Sequence, residues 1–286
     1  MAMLKLQTPV ADSPSKVGIS YDDRILLLGS CFTDNIGSML KNYRFDVCWN
    51  PFGTLYNPAS ILSSIKRLKT GQPLAKEDCI EIGAGDSRIC SFFHHTSFAR
   101  PSSEEFLEHA NEACAKAYEF FHSCNKIIIT LGTSWCYRHV EKDIIVSNCL
   151  KRNPKEFVRE LLTVNDVENM IREIMDLCPD KEFIFTVSPI RHFKDGAHGN
   201  QLSKSTLLLG IHQAMQEGRG DYFPSYEIMM DELRDYRFYA DDMCHPSQQA
   251  VGYIGERFLD WALPSEQQDR LKENIRIWKH GCHIIK

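Results

Sequence analysis

The stretch Arg24-Ile25-Leu26-Leu27-Leu28-Gly29-Ser30-Cys31-Phe32 decides how the rest of the chain is read. Its unbroken aliphatic run suits a short strand buried on both faces. Glycine and serine end the run, and Ile36, Met39 and Leu40 then fall on one face of a helix. Strand, tight turn and helix are expected in that order, with Cys31 where the turn meets the helix. A thiol placed there points at backbone N–H groups that have no partner inside the helix. The positive end of the helix dipole favours its thiolate form.

Working outward, the same alternation recurs. Residues 45–49 are extended and lead into Asn50-Pro51-Phe52-Gly53-Thr54-Leu55-Tyr56-Asn57-Pro58, a loop by its prolines, glycine and asparagines, before a helix over 59–68. Extended runs at 79–82 and 89–93 flank Gly83-Ala84-Gly85-Asp86 and predict a hairpin. Ser102 with Glu105 three residues on is a capping-box signature. The helix it announces carries Phe106, Ala110, Cys114, Ala117 and Phe121 on one face. Residues 126–131, with Ile127-Ile128-Ile129 at the centre, read as a buried strand that stops at Gly132-Thr133-Ser134-Trp135. A second hairpin (137–140 with 144–146), a helix (166–177) and a strand (183–187) follow, the strand stopping at Ser188-Pro189-Ile190-Arg191-His192. A helix over 202–216, an extended 222–226, the loop Asp241-Asp242-Met243-Cys244-His245-Pro246 and a helix over 247–261 complete the pattern. Strands alternating with helices predict an α/β fold of three layers, a mostly parallel sheet flanked by helices, with small β-hairpin insertions. A single domain over 1–286 is expected, its core about 24–262 and residues 263–286 an extension. Ligands bind such sheets at the carboxyl ends of the strands, so the polar stops after each strand are where function is sought.

Bulk properties narrow the classes. The chain has 286 residues, 43% hydrophobic and 25% charged, the composition of an ordinary globular protein. A net charge of -5 supplies no basic surface for a phosphate backbone, so no nucleic-acid partner is expected. Eleven cysteines, an odd number without a framework, read as reduced thiols of the cytosol. Residues 1–16 lack the apolar run of a leader, and no run approaches a membrane span, so a cytoplasmic protein with no membrane partner is expected. His94-His95, His139, His198 and Cys244-His245 offer no ligand set of metal-binding spacing. Gly29 belongs to neither GxGxxG nor GxxxxGK[ST]; no metal and no cofactor are expected.

Taken together, Gly29-Ser30-Cys31-Phe32, Asn50-Pro51-Phe52-Gly53, Leu131-Gly132-Thr133-Ser134-Trp135, Ser188-Pro189-Ile190-Arg191-His192 and Asp242-x-x-His245-Pro246 resemble the GSCFA family of the SGNH/GDSL hydrolase group, over roughly residues 24–260. The resemblance implies an SGNH-like fold in which Cys31 occupies the nucleophile's place and Ser30 replaces an aspartate. It further implies that Asp242 and His245 are the catalytic partners and that Cys31, Gly53 and Ser134 form the oxyanion hole. Ser134 stands where that group carries asparagine. Gly29, Thr133, Trp135, Arg191 and His192 would contact substrate, an acyl ester on a small molecule or glycan. Hydrolysis and acyl transfer to a sugar hydroxyl are the activities considered, with ligand binding without turnover as the rival and redox sensing through an exposed Cys31 as a third reading, taken from the residue and not from the resemblance. The oligomeric state is not legible.

Each residue also has a plainer role. Among eleven cysteines, most are small buried hydrophobes. Ser30 competes with Cys31 as nucleophile or stands behind it as a hydrogen-bonding group. Asp242 and His245 are placed to cap the final helix. Arg191 and His192 suit a substrate carboxylate or phosphate, while Asp195 offers Arg191 a structural ion pair. Trp135 walls a pocket or fills the core.

Overall fold

The computed structural model describes residues 8–10 and 13–284. Residues 1–7 and 11–12, within the stretch read above as lacking a leader's apolar run, lie outside the described residues, as do 285–286. Strand β1 (Arg24–Gly29) feeds helix α1 (Cys31–Asn42), then β2 (Asp46–Trp49) and α2 (Pro58–Thr70). A hairpin of β3 (Ile80–Glu81) and β4 (Ile89–Cys90) precedes α3 (Ser103–Ser123) and β5 (Lys126–Leu131). Strands β6 (Trp135–His139), β7 (Ile144–Val146) and β8 (Phe157–Leu161) form a side sheet. After it come α4 (Val164–Leu177), β9 (Glu182–Val187), α5 (Gly196–Ala214) and β10 (Asp221–Phe223). The short α6 (Ser225–Glu227) runs into a π-helical turn, Ile228–Glu232, and is followed by α7 (Gln248–Ala262) and α8 (Gln268–Ile284).

Alternation along the strands builds two cores. Leu26 and Leu28 of β1, Ile127 and Ile129 of β5, and Phe183 and Phe185 of β9 face one side, where α2, α3, α4 and α5 bring Ile65, Phe121, Ile171 and Leu207. Ile25, Leu27, Ile128 and Ile184 face the other, where α1 and α7 bring Phe32, Ile36, Ile254 and Phe258. Each such side chain contributes about 1.5–3 kcal/mol on burial. The continuous apolar strands of the sequence are thereby explained: a sheet covered on both faces has no polar side.

The main sheet runs β10-β9-β5-β1-β2, and every neighbouring pair is parallel. The chain steps from β1 outward to β2, then returns across β1 to lay down β5, β9 and β10. The connections leaving β1 and β5 therefore diverge, which opens a crevice beyond their carboxyl ends. Cys31 is the first helical residue after β1 and stands at that crevice.

Three elements differ from expectation. β8, unassigned in the sequence, pairs with β6 from Trp135↔Leu161 to His139↔Phe157. Its alternation is blurred because Val158 and Leu161 are exposed on a side sheet with little to bury them. α5 begins at Gly196 rather than 202, although Gly196, His198, Gly199 and Asn200 are poor helix formers. Asn200 ties that first stretch down by accepting a hydrogen bond from the His192 backbone N–H at 3.0 Å. The final residues, 263–286 in the sequence reading, contain α8, whose Leu271 joins the core beside α7.

Candidate active site

The turn after β1 is shaped by glycine. Gly29 has φ +151°, and a Cβ there would collide with the Thr130 carbonyl of β5. Its N–H donates to Asn50 Oδ1 at 2.9 Å, and Asn50 Nδ2 donates to Asp34 Oδ1 at 2.7 Å, which ties the β1 turn, the loop after β2 and α1 together. Cys31 then starts α1 half-buried, its sulfur facing the N–H groups of Cys31 and Phe32. Those donors and the Lys204 ammonium pull the thiol pKa down, as the helix-terminus argument anticipates. Burial outweighs them and, with the Asp34 carboxylate adding to it, pushes the thiol up to about 11. The resting group is a thiol, not the expected thiolate, because a buried sulfur loses more hydration on ionising than the turn returns.

Ser30 is a different case from its neighbour. It is 1% exposed, accepts from Phe32 N at 3.3 Å as the N-cap of α1, and donates to Ser188 Oγ at 3.0 Å. Its hydroxyl is engaged between two strand ends, the position of a hydrogen-bonding group behind Cys31.

Asp242 and His245 meet closely. Asp242 Oδ2 lies 2.5 Å from His245 Nδ1, and Asp242 Oδ1 accepts from the N–H groups of Cys244 and His245, each at 2.9 Å. These donors hold the Asp242 carboxyl down at about 2, the His245 backbone N–H first and the His245 ring next. The plainer role of Asp242 as a helix cap is overturned, since α7 is capped by Ser247, whose Oγ accepts from Ala250 N at 3.2 Å. Both side chains of the pair are about half exposed, at 50% for His245 and 49% for Asp242. The loop is anchored where Arg191 N donates to Cys244 O at 3.1 Å and Ala240 N to His245 O at 2.8 Å. Among the described residues no hydrogen bond joins the Cys31 thiol to His245; the hydrogen-bonded ring nitrogen of His245 is Nδ1, on Asp242.

Two of the three expected oxyanion donors are engaged within the protein. The Gly53 N–H already donates to Asn50 O at 2.8 Å, and Gly53 is glycine because φ is +78° and a Cβ would strike His95 Cβ. Ser134 is 0% exposed, and its hydroxyl donates to Ser203 O and Ser203 Oγ, each at 3.2 Å. A serine side chain is too short to pass its own strand and turns instead toward α5. Thr133 is likewise engaged: its Oγ1 accepts from Trp135 N at 3.1 Å and shares a hydrogen bond with Ser203 Oγ at 3.0 Å. Of the three expected donors, only the Cys31 N–H faces the sulfur.

The substrate-contact residues also separate. Asp195 pairs with Arg159, not with Arg191, and the Arg159 guanidinium lies 4.0 Å from the Trp135 ring centroid. Arg191 instead stacks against Phe193 at 4.5 Å and Tyr239 at 5.4 Å, with no carboxylate pairing with it among the described residues. It lines a cavity of about 550 Å³ with Tyr226, Tyr239, Met229, Met230 and Leu233. His192 lies inward of it. Burial, and then the neighbouring Lys204, hold the His192 imidazole down to about 4, so it is neutral and offers no charge to an anion.

Three nearby groups were not singled out in the sequence. Lys204 of α5 is 1% exposed and donates to Gly132 O at 2.7 Å and Ser188 O at 2.8 Å. Its place could have been found, because Lys204, Leu207 and Ile211 share one helical spacing and a lysine on an apolar stripe is out of pattern. Tyr56 and Asp34 are electrostatic neighbours of Cys31, and the Tyr56 hydroxyl lies 3.2 Å from Thr54 Oγ1. Neither carried a signal of its own. Electrostatic proximity runs from Cys31 to Lys204, from Lys204 to His192, and from His192 to His245, which places all four at one end of the sheet. Among the described residues no group of three or more His, Cys, Asp or Glu side chains could hold a metal ion, and no helix is long and apolar enough to cross a membrane.

Comparison with known proteins gives one family. The model of the GSCFA family matches residues 24–258. Among curated proteins there is no match. Among solved structures, a family 3 carbohydrate esterase of Clostridium thermocellum is 10% identical, covering 88% of this chain and 98% of its own, with a TM-score of 0.42. An acetyl xylan esterase from the rumen bacterium Butyrivibrio proteoclasticus is 11% identical, covering 85% of this chain and 64% of its own, with a TM-score of 0.43.

Proposed function

The chain belongs to the GSCFA family, and from that premise we propose that it is an SGNH-like hydrolase that cleaves an acyl ester, carried on a carbohydrate, through a covalent thioester at Cys31. The observation that carries this reading is the Asp242–His245 pair. A carboxylate fixed by two backbone N–H groups binds Nδ1 at 2.5 Å, which sets the tautomer and leaves Nε2 as the basic nitrogen.

In the proposed reaction His245 Nε2 takes the Cys31 proton as the sulfur bonds to the ester carbonyl carbon, and the carbonyl π electrons move onto oxygen. We assign the oxyanion to the backbone N–H of Cys31, freed from the sulfur as the thioester forms, with the Tyr56 hydroxyl, an electrostatic neighbour of Cys31, in place of the Gly53 and Ser134 donors that are engaged elsewhere. An oxyanion donor of this type contributes about 3–4 kcal/mol. Collapse breaks the bond to the alcohol oxygen, which leaves with the proton from His245. Water then adds to the thioester with its proton going to His245, and collapse returns that proton to sulfur and frees the acid. A sugar hydroxyl in place of water makes the same intermediate an acyl donor. The cavity beside Arg191, with its tyrosines, is the proposed seat of the carrier.

A second reading, a ligand-binding protein without turnover, is favoured by the Cys31 thiol being held at about 11 and by the missing asparagine at Ser134. Acetylated xylose and p-nitrophenyl acetate, quenched in acid and followed by peptide mass spectrometry, separate the two. The hydrolase puts an acetyl group on the Cys31 peptide, and Cys31→Ala and His245→Ala both lose it with turnover. Turnover that survives Cys31→Ala refutes the mechanism. Binding with neither turnover nor acyl-enzyme supports the second reading.

A further inference from the structure

A lysine inside a protein is costly unless its charge is needed or its amine is neutral. Lys204 is the clearest such residue near the site. It lies on the face of α5 that otherwise carries Leu207, Ile211 and Ala214 into the core. Its Nζ donates to Gly132 O and Ser188 O, the carbonyls just past the ends of β5 and β9. Ser188 in turn accepts from Ser30 Oγ, one residue from Cys31. The preceding Ser203 holds the other side of the same turn, accepting from Ser134 N at 2.9 Å and meeting Thr133 Oγ1 at 3.0 Å. Consecutive residues of one helix thus fasten the turn where the resemblance calls for asparagine.

We infer that Lys204 is a positioning residue of this site: it clamps the ends of β5 and β9 beneath the Cys31 turn and carries the positive charge that stabilises Cys31 as an anion. The inference deepens the proposed function and rests on Cys31 being the reacting group. Two N–H groups of Lys204 are taken by carbonyls and no carboxylate among the described residues pairs with it, so its charge is not cancelled locally. The charged form of each partner favours that of the other: Lys204 lowers the Cys31 pKa, and Cys31 raises that of Lys204. Burial nevertheless holds the Lys204 ammonium down to about 7, so its charge is present in acid and is lost through neutrality. The other groups facing the pair are Asp34 of α1 and Tyr56 on the Cys31 side, and His192 and Tyr226 on the Lys204 side, the Tyr226 ring centroid being 5.5 Å from Nζ. His192 is already neutral there and the tyrosines remain protonated, and the His245→Ala variant removes the remaining histidine of the cluster.

The test is the iodoacetamide alkylation rate of Cys31 from pH 6 to 10, read on its own peptide, in the wild type, Lys204→Met and His245→Ala. Methionine keeps the length of the side chain and removes the charge. Near pH 7, Lys204→Met is expected to lower the Cys31 rate roughly tenfold, the equivalent of one unit of thiol pKa. In the wild type and in His245→Ala the logarithm of the rate should rise below pH 7, flatten over about one pH unit as Lys204 loses its proton, and rise again above that, because thiolate formation there competes with deprotonation of Lys204. A purely structural Lys204 would lower Tm yet leave the rate of folded protein unchanged, which overturns the inference. Should Lys204→Met fail to fold, a single straight rise through neutrality in His245→Ala overturns it equally. Acyl-enzyme trapping distinguishes the two failures: an acetylated Cys31 with an unmoved alkylation profile removes only the role of Lys204, whereas no acetylation in the wild type removes the hydrolase itself.

Discussion

Acidification from pH 7 to pH 5 should destabilise this protein by about 2 kcal/mol through one side chain, His94. His94 is fully buried among Phe52, Phe98 and Phe106, whose rings lie 5.4, 4.8 and 5.8 Å from its own. Its Nδ1 meets Ser91 Oγ at 2.7 Å, and Nε2 has no hydrogen-bond partner among the described residues. Burial, followed by Arg67 and His109, holds the imidazole down to about 3. The unfolded chain binds the proton near pH 6.5, so below that pH the unfolded state takes up a proton that the native state refuses, and stability falls with pH. Linkage gives RT ln of the ratio of the two binding polynomials. At pH 5 that is about 2 kcal/mol, against about 0.2 at pH 7, and any native pKa below about 4 gives nearly the same result. Urea denaturation at both pH values, in the wild type and in His94→Gln, measures it. Glutamine reaches Ser91 but does not titrate, so the variant is weaker at pH 7 and loses about 2 kcal/mol less between the two pH values. Equal losses in the two proteins would refute a neutral, buried His94.

Two further outcomes test the turn and the pair. Asp242→Asn keeps an acceptor for Cys244 N and His245 N but places an uncharged amide where the carboxylate meets Nδ1; ester turnover should fall by about a hundredfold or more with little change in Tm, measured by steady-state kinetics and thermal melting. Gly29→Ala must place a Cβ against Thr130 O at φ +151° and should cost about 3 kcal/mol or more in urea denaturation.

The same geometry explains why Cys31 differs from the other thiols. Cys114, Cys124, Cys136 and Cys178 are buried in the packed helix and strand layers. Cys31 alone among the described cysteines opens a helix at the carboxyl end of a strand of the main sheet, beside the crevice where connections diverge. A group in that place has backbone N–H donors beside it and the buried Lys204 as an electrostatic neighbour.

What the sequence by itself determined is what local chemistry and periodicity encode. The aliphatic runs of β1, β5 and β9 name strands covered on both faces, the capping of α3 by Ser102 is legible residue by residue, and Gly29-Ser30-Cys31 marks the turn that leads into α1. The Asp242-x-x-His245 spacing likewise lets two neighbours in sequence become neighbours in space, since three residues of loop suffice to fold one onto the other. Only the tertiary structure decided which polar side chains face the crevice. Ser30, Ser134 and Gly53 sit at expected positions, yet their donors go to Ser188, Ser203 and Asn50, because a short side chain or an N–H is claimed by whichever acceptor the packing brings nearest. Lys204, far along the chain in α5, entered the site for the opposite reason: its long side chain crosses the layer to two strand-end carbonyls that come together only when the sheet is assembled.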